Sequence, residues 1–181
     1  MEFADISNPG EVSDWWFILF GILFIDVVVI LLSRHFPQFF GKNLNIWYDD
    51  FGLAAVIADV LIIAIGFWIA RWIYNSFFAP ATGWSLLHFV FLLVGVQLIH
   101  DILFYVGVIL PIPRGLNEMM DVFKDYSGAG AKILLGDAAM MVGSAVTASW
   151  LKGQSEPIPS GFMLLTAYAL PYSLYTNWKK L

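Results

Sequence analysis

Residues 84–110 read WSLLHFVFLLVGVQLIHDILFYVGVIL. At ~1.5 Å per residue, this run is long enough to cross the ~30 Å hydrocarbon core of a bilayer as one helix. It carries Gln97, His100 and Asp101. Gln97 lies three and four residues before the other two, so all three fall on neighbouring positions of one helix face. A charged group near a bilayer centre costs at least ~2.5–3.5 kcal/mol, so an apolar run that keeps this triplet must place it inside a bundle.

Working outward, four more apolar runs appear: 15–33, 51–74, 131–151 and 161–178. The chain has 181 residues, 60% hydrophobic and 13% charged. A soluble domain is nearer 45–50% apolar and about 25% charged. The fold expected is therefore all-α: a single transmembrane domain, 1–181, of five membrane-spanning helices. Pro111 and Pro113 end the central run, since neither can continue a helix. Residues 75–83, with Pro80, read as a turn, and 36–50 as a short polar link. Trp15-Trp16 and Trp47-Tyr48 sit where an interfacial aromatic belt would lie. Pro171 predicts a kink in the last span.

One extended polar region, 114–132, separates the third and fourth spans. Within it Leu116, Met119, Met120 and Phe123 recur at helical spacing, with Asn117 as an N-cap, which predicts an amphipathic helix over 116–126 in the headgroup region. Ser127-Gly128-Ala129-Gly130 ends it. Arg114, Lys124 and Lys132 would control access to the bundle from this inner surface.

Orientation follows from the Lys and Arg residues. One set of loops holds Arg34, Lys42, Arg114, Lys124, Lys132, Lys179 and Lys180, and the other holds only Arg71 and Lys152. The positive-inside rule then puts the N-terminus outside or in a lumen and the C-terminus in the cytoplasm. The acidic N-terminal residues, without Lys or Arg before the first run, do not resemble a cleavable signal peptide, so that run reads as an uncleaved anchor.

Three further apolar runs each carry an aspartate: Asp26, Asp59 and Asp137. Counting from the inner ends of their spans puts Asp26 at ~10 Å, Asp59 at ~12 Å, Asp101 at ~14 Å and Asp137 at ~9 Å. Antiparallel helices thus deliver four carboxyls to one level. Small residues mark helix contact in lipid, and they accompany the acids: Gly52, Ala55, Gly66 and Ala70 near Asp59, Ser144 and Ala148 near Asp137.

Three chemistries fit such a layer. Asp26, Asp59, Gln97, His100, Asp101 and Asp137 serve as interhelical polar glue, the leading reading. Alternatively they move protons or cations in a small transporter or channel, because crowded carboxyls in a low dielectric do not all ionise and His100 titrates near neutrality. The third reading is a carboxylate–histidine metal centre, but the Glu-x-x-His pairs of di-metal bundles are missing. No metal, cofactor or catalytic residue is assigned, and the sequence leans away from an enzyme. The absence of cysteine excludes thiol catalysis and iron–sulfur or zinc–thiolate sites. A net charge of −5 argues against nucleic acid as a partner, leaving the lipid bilayer and, as an option, further copies of the chain. Arg71 would snorkel or pair with Asp14 or Glu11. His88 reads as interfacial, and Tyr168, Tyr172 and Tyr175 as a packing stripe.

Residues 47–59 (WYDDFGLAAVIAD), 97–105 (QLIHDILFY) and 111–126 (PIPRGLNEMMDVFKDY), with Gly136-Asp137-Ala138-Ala139-Met140-Met141, together resemble uncharacterised multi-pass membrane proteins of large DNA viruses of algae and protists. The resemblance covers 44–151. It implies a viral origin and a place in a virion inner membrane or an internal membrane of an infected cell. It brings no activity, and Asp26 falls outside it.

Overall fold

The computed structural model describes residues 3–40, 42–127 and 130–176. The expected turn at Gly128-Ala129, the terminal Lys179 and Lys180 and the end of the last run lie outside them.

The regular secondary structure of the described residues is all helical, with no strand. Long apolar runs leave the backbone no partner but itself, and a helix satisfies every N–H and C=O locally. Helix α1 is Asp14–His35, α2 Pro37–Phe40, α3 Lys42–Phe51 and α4 Leu53–Ile73. Helix α4 continues through a π turn, Tyr74–Phe78, into α5, Ala79–Thr82. Helix α6 is Leu86–Phe104, extended by a second π turn to Ile109, and is followed by α7, Glu118–Ser127, α8, Ala131–Lys152, and α9, Ile158–Tyr175. Helices α1, α4, α6 and α8 close a four-membered ring in which each packs on the next and α8 returns to α1, with α9 outside against α1 and α8.

Four segments are long and apolar enough to cross a membrane: Asp14–His35, Leu53–Thr82, Leu86–Ile109 and Lys132–Lys152. Helix α9, the fifth expected span, is not among these four. Its ends nevertheless touch both ends of the bundle. Phe162 packs on Trp150 and Phe24, while the Tyr175 hydroxyl comes up to Gly52.

Large apolar side chains lie on the outside of the bundle and small residues at its helix contacts. On α4, Leu53, Ile57, Leu61, Ile65, Trp68 and Trp72 are exposed, while Ala55, Gly66 and Ala70 are buried. Gly21 lets α1 approach α8: a Cβ there would stand 3.0 Å from the Ser144 carbonyl oxygen. Small residues supply such contacts where the hydrophobic effect cannot drive association.

Several expectations change. The link 36–50 is largely helix α3, whose Trp47 and Tyr48 are buried. The turn at 75–83 shifts to Gly83–Ser85, because α4 continues through Pro80 at the start of α5. Helix α7 forms and Asn117 caps it, accepting the Met120 N–H at 3.2 Å. Its inward residues are Met119, Val122 and Phe123, whereas Leu116 is exposed ahead of the helix. Tyr168, Tyr172 and Tyr175 are exposed on α9, with Tyr168 and Tyr172 packed on each other at 5.1 Å. His88 is exposed.

The apolar core falls into two clusters. One holds Ile18, Ile22, Ile63, Phe67, Leu93 and Met141; the other holds Ile30, Trp47, Tyr48, Ala55, Val56 and Leu174, with α7 packed on it. Asp26 lies between Ile22 and Ile30 along α1, Asp59 between Val56 and Ile63 along α4, and Asp137 one turn before Met141. The acids thus mark the seam between the two clusters.

Candidate functional site

Helix α3 builds half of the aspartate layer. Only Gly52 separates it from α4, and that residue has φ +53°, a backbone conformation that favours glycine. The sharp joint, with an ion pair between Arg34 and Asp49 at 2.7 Å and a bond from Asn45 Nδ2 to the Ser33 carbonyl at 3.0 Å, folds α3 back onto the ends of α1 and α4. Two consecutive side chains then reach two different helices. The Tyr48 hydroxyl donates to Asp26 Oδ1 on α1 at 2.7 Å, and Trp47 Nε1–H donates to Asp59 Oδ2 on α4 at 2.9 Å. Asp26 is fully buried. Burial first, then the charges of Asp26 and Asp59, push the Tyr48 phenol well above its usual range, so it stays a donor.

Helix α6 builds the next member. Asp101 Oδ1 accepts Gln97 Nε2–H at 2.5 Å and lies 3.2 Å from His100 Nδ1. Gln97 is buried, and His100 stacks on Phe104. Asp137, half-buried on α8, lies within electrostatic reach of Asp101 and Asp59, and Asp26 within reach of Asp59. Asp26 of α1 thus neighbours Asp59 of α4, and Asp137 of α8 neighbours Asp101 of α6 and, across the ring, Asp59. Two of the layer's buried oxygens, Asp26 Oδ2 and Asp101 Oδ2, have no hydrogen-bond partner. Among the described residues no three His, Cys, Asp or Glu side chains gather closely enough to hold a metal ion.

The basic residues expected beneath the layer are engaged otherwise. Arg114 pairs with Asp125 at 2.8 Å on the surface, Lys124 donates to the Ile112 carbonyl, and Lys132 is exposed. On the same side Phe123 of α7 packs on Trp47 at 4.8 Å and on Phe104 at 6.3 Å.

At the opposite end of the bundle stands a second polar cluster. Asp14 and Arg71 are both buried and lie 3.2 Å apart, which charge complementarity allowed one to expect. Lys152 of α8 joins them, 2.6 Å from Asp14 Oδ1. Asp14 sits at the start of α1 and Lys152 at the end of α8, each where the helix dipole favours its charge. An N-terminal strap closes over the cluster. The Asn8 and Glu11 carbonyls accept from Arg71 Nη2, the Asp5 carbonyl accepts from Lys152 Nζ at 2.6 Å, and Ala4 pairs with Ser149 through both its N–H and its carbonyl. Ile6 is buried in the core beneath.

No family model, no curated protein and no solved structure matches the chain. Any function must therefore be read from this geometry.

Proposed function

We propose that the chain is a polytopic integral membrane protein whose aspartate layer holds the bundle together as interhelical polar glue. The observation that carries this is the paired donation from Trp47 and Tyr48, which fastens α1 and α4 to one short helix. Buried polar groups persist in an apolar setting only when hydrogen-bonded, and here three of the four acids accept from side chains chosen to fit them. The buried Asp14 pairs support the same role at the other end.

The finer topology is five spans, with α9 the fifth and the strap end outside. Supporting it, α9 reaches both ends of the bundle, and the two basic residues on the strap side, Arg71 and Lys152, are both committed to Asp14. The α3–α7 end would then face the cytoplasm. From the resemblance, the compartment is a virion or internal membrane. Cysteine labelling from each side and fractionation test these placements.

A second reading, a small proton- or cation-coupled transporter, draws on the two partnerless carboxylate oxygens, since a buried acceptor left unmet is costly unless something visits it. One experiment separates the readings. If the layer is glue, Asp59→Asn keeps the melting temperature, because Asn still accepts from Trp47, whereas Asp59→Leu lowers it, and wild-type liposomes show no ion flux at any pH or voltage. Wild-type flux that disappears in Asp101→Asn at unchanged stability would replace glue by transport.

A further inference from the structure

Helices α3 and α7 cover the same end of the bundle and are fastened in different ways. Helix α3 is bolted to the spans by polar contacts. Arg34 of α1 pairs with Asp49 and donates to Asn45, Asn45 donates to the Ser33 carbonyl, and Trp47 and Tyr48 donate to Asp59 and Asp26. Helix α7 is tied to the loop before it. Arg114 pairs with Asp125 at 2.8 Å, and Lys124 donates to the Ile112 carbonyl. The Gly115 N–H donates to Asp121 Oδ2 at 2.8 Å, and the Met120 N–H to Asn117 Oδ1 at 3.2 Å. Toward the bundle α7 turns the apolar Met119, Val122 and Phe123. Glycines at positive φ flank it, Gly115 at +81° and Gly130 at +51°, and a Cβ at either would meet nothing within 4 Å. Such unbraced joints are where a hinge can absorb a backbone change. Residues 112–125 thus form one preformed unit laid on α3.

Beneath this unit lie the partners of two acids. Phe123 packs on Trp47, the donor to Asp59, and on Phe104, the ring on which His100 stacks beside Asp101. One side chain of α7 therefore covers a neighbour of Asp59 on α4 and a neighbour of Asp101 on α6. We propose that α7 is a hinged plug, which lifts from α3 as one body about Gly115 and Gly130 and admits water from that end to Asp59 and Asp101. The inference rests on the layer being the functional site and adds how it is reached. Lifting α7 gives up the packing of three apolar side chains and keeps its ties to its own loop. Lifting α3 would instead strip Asp26 and Asp59 of their donors. Segments that open locally are those with few buried apolar contacts, so α7 opens before α3 does.

The chain contains no cysteine, so a single introduced thiol reports water at its own position. In the full chain in dodecyl maltoside, Ala58→Cys should react slowly with a cationic methanethiosulfonate. Ala58 is half-buried beside Asp59 and packs on the same cluster as α7. Adding Phe123→Ala should speed that reaction at least tenfold, and adding Met119→Ala should speed it less. Ser144→Cys, at a fully buried position further along α8, should stay slow in both backgrounds, which separates lifting of α7 from unfolding of the bundle. In the unaltered chain, hydrogen exchange of residues 118–125 should proceed as one unit, at least tenfold faster than that of 42–51. Equal exchange of the two helices, an Ala58→Cys rate unmoved by either variant, or equal acceleration of Ser144→Cys overturns the plug. None of these outcomes alters the melting temperatures of the Asp59 variants, so the reading of the layer is tested separately.

Discussion

Tyr48 carries more consequence than any other single residue of the layer. Its hydroxyl is the sole hydrogen-bond donor to fully buried Asp26 among the described residues. Tyr48→Phe leaves that carboxyl unmet and should cost about 1–3 kcal/mol in reversible unfolding in mixed micelles. The pH dependence has a definite sign. Burial and the neighbouring acids raise the folded phenol above its unfolded value of about 10. Above that pH the unfolded phenol loses its proton while the folded one keeps it, so stability falls as pH rises. The advantage of wild type over Tyr48→Phe should therefore be constant below pH ~10 and shrink above it. A gap that widens in alkali would show that the phenol is not the donor. The aspartates themselves were legible in the sequence, because an acid in an apolar run has few alternatives. Their donors were not, since Trp47-Tyr48 beside a polar link has the same composition as an interfacial belt.

At the level of elements, the ring depends on how closely α1 approaches α8. Gly21 stands against backbone, with the Ser144 carbonyl and the Ala148 N–H at 3.0 and 3.1 Å from a would-be Cβ, whereas a Cβ at Gly95 would meet nothing within 4 Å. Gly21→Ala should push the helices apart and cost about 1–3 kcal/mol, the range for overpacking a filled site. Gly95→Ala should be neutral or slightly stabilising, since Ala suits a helix better. Thermal unfolding of both variants in one detergent checks the contrast, and equal effects would place the tight contact elsewhere. The long helices were legible because each is an unbroken apolar run. Helix α3 was missed because its five polar residues, Lys42, Asn43, Asn45, Asp49 and Asp50, were read as a link although its side chains are amphipathic at helical spacing, and its form depends on the joint at Gly52. Helix α7 was found, but its stripe was read one step off: Val122, not Met120, joins Met119 and Phe123 facing inward.

For the molecule as a whole, the aspartate layer and the strap cluster are two polar fastenings at different heights with apolar core between them. The strap cluster ties α1, α4 and α8 through one buried carboxylate. Removing one partner of a buried pair typically costs 3–5 kcal/mol, because the other charge is left behind. Arg71→Met should fall in that range, and hydrogen exchange of residues 3–13 should quicken with it. Adding Asp14→Leu should recover part of the loss. Strictly additive losses would mean that the two charges do not depend on each other. Arg71 with Asp14 was legible as opposite charges at matching depth, but Lys152 was not: nothing local in a sequence links positions 138 residues apart.

That separation has a temporal side. The strap's carbonyls are met by Arg71 of α4 and by residues of α8, with Ala4 and Ser149 separated by 145 positions. A ribosome delivers α1 long before the helix it packs against most closely. During that interval Asp14 and Asp26 have neither Lys152 nor the finished bundle around them. The first span must wait in the bilayer, or beside an insertion factor that shields its acids, until α8 arrives. Closure of the strap thus cannot precede α8, and a chain halted before α8 should be recognised by the cell as unfinished.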